Sequence, residues 1–387
     1  MSEVHLPDYR GGSILNLMAT IESACGGNPS CPPLRALPPE AIAGARNLIL
    51  LVIDALGHDF LAASSAPTLR RHLRAKITSV FPSTTATAIT TFLTGLAPQQ
   101  HGLTGWFTYF REIGSVAAAL PFHPRHGGCA YSDSGITVDA LMGHVPFFDR
   151  IALPSYVVSP AWIVHSDFNA AHSGRAQRRG YDKLEEMFEA ITGVVREDAQ
   201  RKYVYAYYPG LDTLAHEYGM GSPRAAALLA RLDSCFERFL AEIEGSGSTV
   251  IVTADHGMVD GEAGRQIELD DHPDLEKTLV LPLCGEPRAA YCYVHPDKTG
   301  QFERYVRSEL SEQVLLYPSH RLVEEGWFGP GEPHPRLLDR IGHYTLVMRE
   351  NYTIKDWLTG ERRYVHIGRH GGVSAAEMEV PLIVART

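Results

Sequence analysis

Asn47-Leu48-Ile49-Leu50-Leu51-Val52-Ile53-Asp54 is a run of strand length, unbroken and apolar after Asn47 and closed by a carboxylate. A strand with one wet face would alternate apolar and polar residues, so this run predicts a central strand covered on both faces. Asp54 stands at its carboxyl end, where open α/β sheets bind ligands, although the same residue could cap a helix over Leu56 to Leu61. Both readings remain open from this stretch alone.

Working outward, the same arrangement recurs. Lys202 to Tyr208 reads as a strand turned out by Pro209-Gly210, and four residues separate Asp212 from His216 just beyond, placing both on one helical face able to hold an ion. Thr249 to Thr253 is another buried strand, ending in Ala254-Asp255-His256-Gly257-Met258. Gly368-Arg369-His370-Gly371-Gly372 precedes a last strand over Val380 to Ala385. Ser155 to Ser159 has strand character, Tyr181 to Asp198 has helical spacing, and Ser222-Pro223 opens an amphipathic helix running to Glu244. Strand-then-helix alternation predicts an α/β fold: a mostly parallel central sheet with helices on both faces. Asp54, Asp212, His216, Asp255, His256 and His370 are a ligand set without sulfur that suits two divalent ions, zinc first, with manganese or iron as alternatives. Two ions can clamp the entering and leaving oxygens of an in-line phosphoryl displacement.

Phe81-Pro82-Ser83-Thr84-Thr85-Ala86-Thr87-Ala88-Ile89-Thr90-Thr91-Phe92-Leu93-Thr94-Gly95 sets a hydroxyl-rich turn before an apolar run closed by glycine. The hydroxyls predict a helix start and Gly95 its end. Free N–H groups and the dipole of such a start can seat a phosphoryl group, or the hydroxyl can be an ordinary cap. Any of Ser83, Thr84, Thr85 and Thr87 could face those groups.

Composition narrows the class. The 387 residues predict two to three domain-sized units or one large domain with an insertion, and 44% apolar with 21% charged residues is globular composition. A net charge of -10 argues against nucleic acid as the main partner. No basic start followed by an apolar run, and no apolar stretch of membrane-spanning length, leads to the expectation of a cytoplasmic protein with no membrane partner. The six cysteines form no CxxC pair, as reduced thiols would. The expected organisation is an N-terminal arm over 1–46, proline-rich at 28–42, a metal-binding core over 47–259, an inserted cap over 260–365 and completion of the core over 366–387. Residues 103–150 read as loops and short elements near the site mouth.

Taken together, these motifs resemble the alkaline phosphatase superfamily, in its nucleotide pyrophosphatase/phosphodiesterase branch. The resemblance runs over about 47–102, 202–258 and 368–384, with the pieces in the family's order and His101-Gly102 following the nucleophile segment. It implies that Asp54, Asp255 and His256 hold one metal with the Thr85 oxygen, and that Asp212, His216 and His370 hold the other. The family register, ten residues before Gly95, makes Thr85 the nucleophile and implies a covalent phosphothreonine. The chain departs from the pattern at Ala88, where family phosphodiesterases carry an asparagine that binds a phosphate oxygen, and at Ala86, where an aromatic often stands. The implied function is two-metal hydrolysis of a phosphodiester or pyrophosphate on a small molecule. A phosphomonoesterase, phosphonate hydrolase or phosphomutase is the alternative, and a non-catalytic metal-stabilised binding protein the third reading.

Overall fold

The computed structural model describes residues 4–387. Its Asn47–Ile53 strand is buried at every position and lies between Lys202–Tyr208 and Ser248–Thr253, both parallel to it. Ser155–Pro160 and Gln177–Tyr181 extend the parallel sheet on one side. On the other, Glu379–Arg386 runs antiparallel to both Ser248–Thr253 and the edge strand Leu73–Thr78, giving seven strands with one reversed. Alternate side chains of the 202–208 strand reveal the two covered faces. Tyr205 meets Phe92 of the Thr85–Thr94 helix, with ring centroids 6.5 Å apart, while Lys202 reaches the opposite way to donate to the Val194 carbonyl in Leu184–Glu197.

A second seven-stranded sheet, antiparallel throughout, stands beside the first. Its order is Val314–Pro318, Tyr344–Met348, Ala289–Cys292, Cys284–Glu286, Phe107–Phe110, Ser115–Ala118 and His123–Pro124. Three of these strands come from 107–124, a segment expected to hold loops and short elements, and they join the 260–365 region through the pairing of Gly285 with Phe107. The second sheet is therefore assembled from two distant stretches. Its strands of two to five residues are too short to show a period of their own, so long-range pairing decides their state.

The N-terminal arm also differs from expectation. Ile14–Ala24 is a helix, buried at nearly every residue, that packs against the Thr85–Thr94 helix. Asn16 anchors it, accepting from the Ser13 N–H and hydroxyl at 3.1 and 2.7 Å and donating to the Pro32 carbonyl at 2.8 Å. Its polar residues Asn16, Thr20 and Glu22 are buried along with the apolar ones, so it has no wet face of the kind that marks a surface helix. The six cysteines are unpaired, and no helix among the described residues is long and apolar enough to cross a membrane.

One buried ion pair ties the two sheets together behind the His370 loop. Arg288, just past the 284–286 strand, makes a two-pronged contact with Glu377 at 2.6 and 2.7 Å, and neither side chain is exposed by more than 1%. Glu377 also accepts from the Gly372 N–H at 2.8 Å and from the Ser374 hydroxyl at 2.6 Å. Burial would raise this carboxyl, but Arg288, Ser374 and the Gly372 N–H outweigh it and hold the group below its usual range. Replacing Glu377 by Ala leaves the Arg288 guanidinium buried and alone, and is expected to lower unfolding free energy by about 3–5 kcal/mol in urea titrations. Because the carboxyl is held down in the folded state, its contribution is present at neutral pH and is lost as pH falls through its folded-state value.

Candidate active site

Each site residue stands where the sheet delivers it. Asp54 follows the 47–53 strand, Asp212 and His216 lie in Gly210–Tyr218 just beyond 202–208, and Asp255 and His256 follow 248–253. His370 comes from the loop entering Ala375–Met378. These residues assemble into two groups, Asp54 with Asp255 and His256, and Asp212 with His216 and His370, the candidate ligand atoms of each lying within 4.8 Å of one another. The groups are neighbours, since the His256 and His370 rings stack at 3.9 Å.

Surrounding bonds aim these side chains. In the first group Tyr207 donates to one Asp54 oxygen, and the Ala55 and His256 N–H groups donate to Asp255 Oδ1 at 3.2 and 3.0 Å. The other oxygens, Asp54 Oδ1 and Asp255 Oδ2, lie buried with no hydrogen-bond partner, 3.4 and 3.5 Å from His256 Nε2. In the second group His216 Nδ1 lies 2.9 Å from the Gly368 carbonyl; donation there leaves Nε2 to face Asp212 Oδ1, 3.3 Å away. Asp212 Oδ1 is likewise buried without a hydrogen bond.

Electrostatics point the same way. Burial, then the charges of Asp255 and Asp212, raise the Asp54 carboxyl well above its ordinary range, and burial with Asp255 and Glu286 does the same to Asp212. Burial and the neighbouring imidazoles push His370 well down and His216 down to about 4. Crowded carboxylates with orphaned oxygens, flanked by imidazoles that resist protonation, make a donor set that divalent cations fit.

Thr85 occupies the first turn of the Thr85–Thr94 helix, which Gly95 closes in the left-handed conformation at φ 65°. Thr84 is the cap residue, but its hydroxyl does not cap: it donates to Glu286 at 2.7 Å. The first-turn N–H groups are thereby left open toward the site. Thr85 Oγ1 sits 3.1 Å from His256 Nε2, beside the first group. Thr84, Thr85, His216 and His370 open onto one cavity of about 600 Å³ that reaches under the second sheet.

Residues 48–373 match the type I phosphodiesterase/nucleotide pyrophosphatase family. The chain belongs to that family. No curated protein sequence matches it. Among solved structures it resembles murine ectonucleotide pyrophosphatase/phosphodiesterase 5, at 16% identity and a TM-score of 0.67 over 87% of both chains. An inactive threonine-to-alanine variant of that murine protein, in complex with AMP, matches with a TM-score of 0.66 at the same identity and coverage. Phosphonoacetate hydrolase from Sinorhizobium meliloti, in complex with phosphonoacetate, gives 21% identity and a TM-score of 0.61, over 88% of this chain and 90% of that one. The protein is thus a phosphodiesterase/pyrophosphatase-like hydrolase on an alkaline phosphatase-type fold.

Within this family member, several residues at the site escaped sequence reasoning. Glu286 is buried between the Thr84 hydroxyl and the Trp106 N–H, each at 2.7 Å, and burial pushes its carboxyl up to about 7. It lies in Cys284-Gly285-Glu286-Pro287, a turn-like string that signals nothing by itself. Glu377 left a legible trace, since Ser374-Ala375-Ala376-Glu377 has the spacing of a capping box, with Ser374 at the cap of a short helix. Tyr207 is one of four tyrosines in a buried strand, at 203, 205, 207 and 208, and only the packed sheet shows which of them meets Asp54.

Proposed function

We propose that the protein hydrolyses a phosphate diester or pyrophosphate on a small molecule through a covalent phosphothreonine at Thr85. The observation that carries this reading is the position of the Thr85 hydroxyl. It stands at an open helix start, within 3.1 Å of His256 Nε2 and facing the cavity shared with both groups of candidate ligands. A structural metal site has no need of a hydroxyl so placed.

Asp54, Asp255 and His256 would hold one divalent ion together with the Thr85 oxygen, and Asp212, His216 and His370 the other. Bound there, zinc, or manganese or iron in its place, would supply the positive charge that favours a deprotonated hydroxyl and a departing oxygen. The chain's own part is orientation. His256 Nδ1 lies 2.9 Å from the Gly257 carbonyl, so donation to that oxygen turns the Nε2 lone pair toward Thr85. The helix start presents N–H groups where charge grows on the phosphoryl oxygens. Glu286, by holding Thr84, keeps that hydroxyl from capping those N–H groups. The inactive threonine-to-alanine form of the murine relative agrees with an essential threonine in this fold.

A second reading, phosphonate or phosphate monoester chemistry on the same residues, is favoured by Ala88, which offers no amide for a diester oxygen, and by the likeness to phosphonoacetate hydrolase. A panel of p-nitrophenyl phosphate diesters, monoesters and phosphonates with added zinc or manganese separates the two. The first reading expects the diester to have the highest kcat/KM, and a clear preference for monoester or phosphonate would replace it with the second.

Tyr207→Phe removes the donor that fixes Asp54 while keeping the ring. Metal titration should show affinity reduced by about 10- to 100-fold, with the fold intact by circular dichroism.

A further inference from the structure

Lys355 is the last residue of Thr353–Lys355, a strand buried throughout, and is only 7% exposed. Its ammonium lies 4.0 Å from the Tyr364 ring centroid and 5.1 Å from that of Trp357. Among the described residues nothing accepts a hydrogen bond from it, and no carboxylate comes within ion-pair distance. The acids around it are already engaged. Glu361 and Asp356 accept from Arg125, from the Leu358 N–H and from the Leu283 N–H, and Glu268 accepts from the Trp357 indole at 2.6 Å. The stem of this side chain is buried while its ammonium faces the cavity, so its three donors are free for an acceptor that enters there.

Its position says what could arrive. Lys355, Trp357, Tyr364 and His366 line the same cavity as Thr85 and His216. A continuous stack connects the two ends: the ammonium on Tyr364 at 4.0 Å, Tyr364 on His366 at 4.5 Å, and His366 on His216 at 4.3 Å. A molecule whose phosphoryl group lies at Thr85 would extend along this wall toward Lys355.

We propose that Lys355 anchors a second oxyanion, carboxylate or phosphate, carried by the substrate whose phosphoryl group is transferred at Thr85, an inference that rests on the phosphoryl-transfer reading. The aromatic walls exclude water from the contact and so strengthen it. Burial, with the nearby Arg369 charge, pushes the Lys355 amine down to about 8, and a bound anion would reverse that. The preference is then for substrates with two separated anionic groups over those with one.

Two measurements on metal-loaded full-length protein test this. In the first, calorimetry compares phenylphosphonate with 4-carboxyphenylphosphonate, which differ by one carboxylate and need no turnover. Wild type should bind the carboxylated ligand tighter by about tenfold or more. Lys355→Met should remove that difference, and Lys355→Arg should keep most of it. In the second, the ratio of kcat/KM for p-nitrophenyl 4-carboxyphenyl phosphate over p-nitrophenyl phenyl phosphate should fall in Lys355→Met by the same factor. Equal affinities in wild type, no measurable binding of either ligand, or a preference that survives Lys355→Met would each overturn the proposal. An equal drop for both esters would also overturn it, by making Lys355 a structural residue. A binding preference without turnover of either ester would instead count against the transfer chemistry and leave the subsite standing.

Discussion

Thr85→Ala should lower turnover by on the order of 10⁴-fold or more while leaving both groups of candidate metal ligands in place. The expectation follows from separation of roles: the substitution removes the hydroxyl 3.1 Å from His256 Nε2 and none of the six Asp and His side chains. Thr85→Ser keeps the hydroxyl and loses only the methyl that narrows its rotamers, so measurable activity should remain. Thr84→Ala should be milder, because that hydroxyl points to Glu286 and acts on the helix start from outside the reacting atoms. Activity assays paired with elemental analysis check all three variants. An active Thr85→Ala protein would remove the covalent mechanism.

The second large effect concerns the metals. Reconstituted protein should carry two divalent ions per chain by elemental analysis, and chelation should abolish turnover, with zinc or manganese restoring it. His370→Ala should empty mainly the Asp212 and His216 side, and Asp54→Ala mainly the Asp255 and His256 side, each lowering kcat/KM by more than about a hundredfold. The structural reason is that each change takes one of three donors from a group whose remaining carboxylates are already buried with orphaned oxygens. Fewer than two ions per wild-type chain would contradict the assignment of the two groups.

The core and the clustering of the candidate site residues were legible because the same physical constraint wrote both. A parallel strand covered on both faces must be apolar along its length, so a polar residue can enter only at its end, and Asp54 and Asp255 each close such a run. The Asp212 to His216 spacing was readable because a helix starts just before it, whereas at Asp54 and among the four turn hydroxyls the residues left alternatives open and only the family register favoured one. The second sheet was not legible. Its pairing of Gly285 with Phe107 joins residues with no local sign of each other, and a four-residue run such as Phe107–Phe110 carries too little period to announce a strand. Ile14–Ala24 was hidden because Asn16, Thr20 and Glu22 interrupt its apolar residues along the chain yet are buried with them in the fold. Lys355 and Glu286 carry no signal of their own, since nothing in a sequence says that a charged residue at a strand end will be enclosed by a distant aromatic or a distant turn.

The reading of Thr85 as the acceptor of the phosphoryl group has one direct test. Metal-loaded protein is mixed with a slow p-nitrophenyl ester, quenched in acid during turnover, digested and mapped by mass spectrometry. A phosphoryl group on Thr85, still carrying the second ester group where the substrate is a diester and absent from the Thr85→Ala protein, is the predicted result, and the same adduct on Thr84 or Thr87 would contradict it.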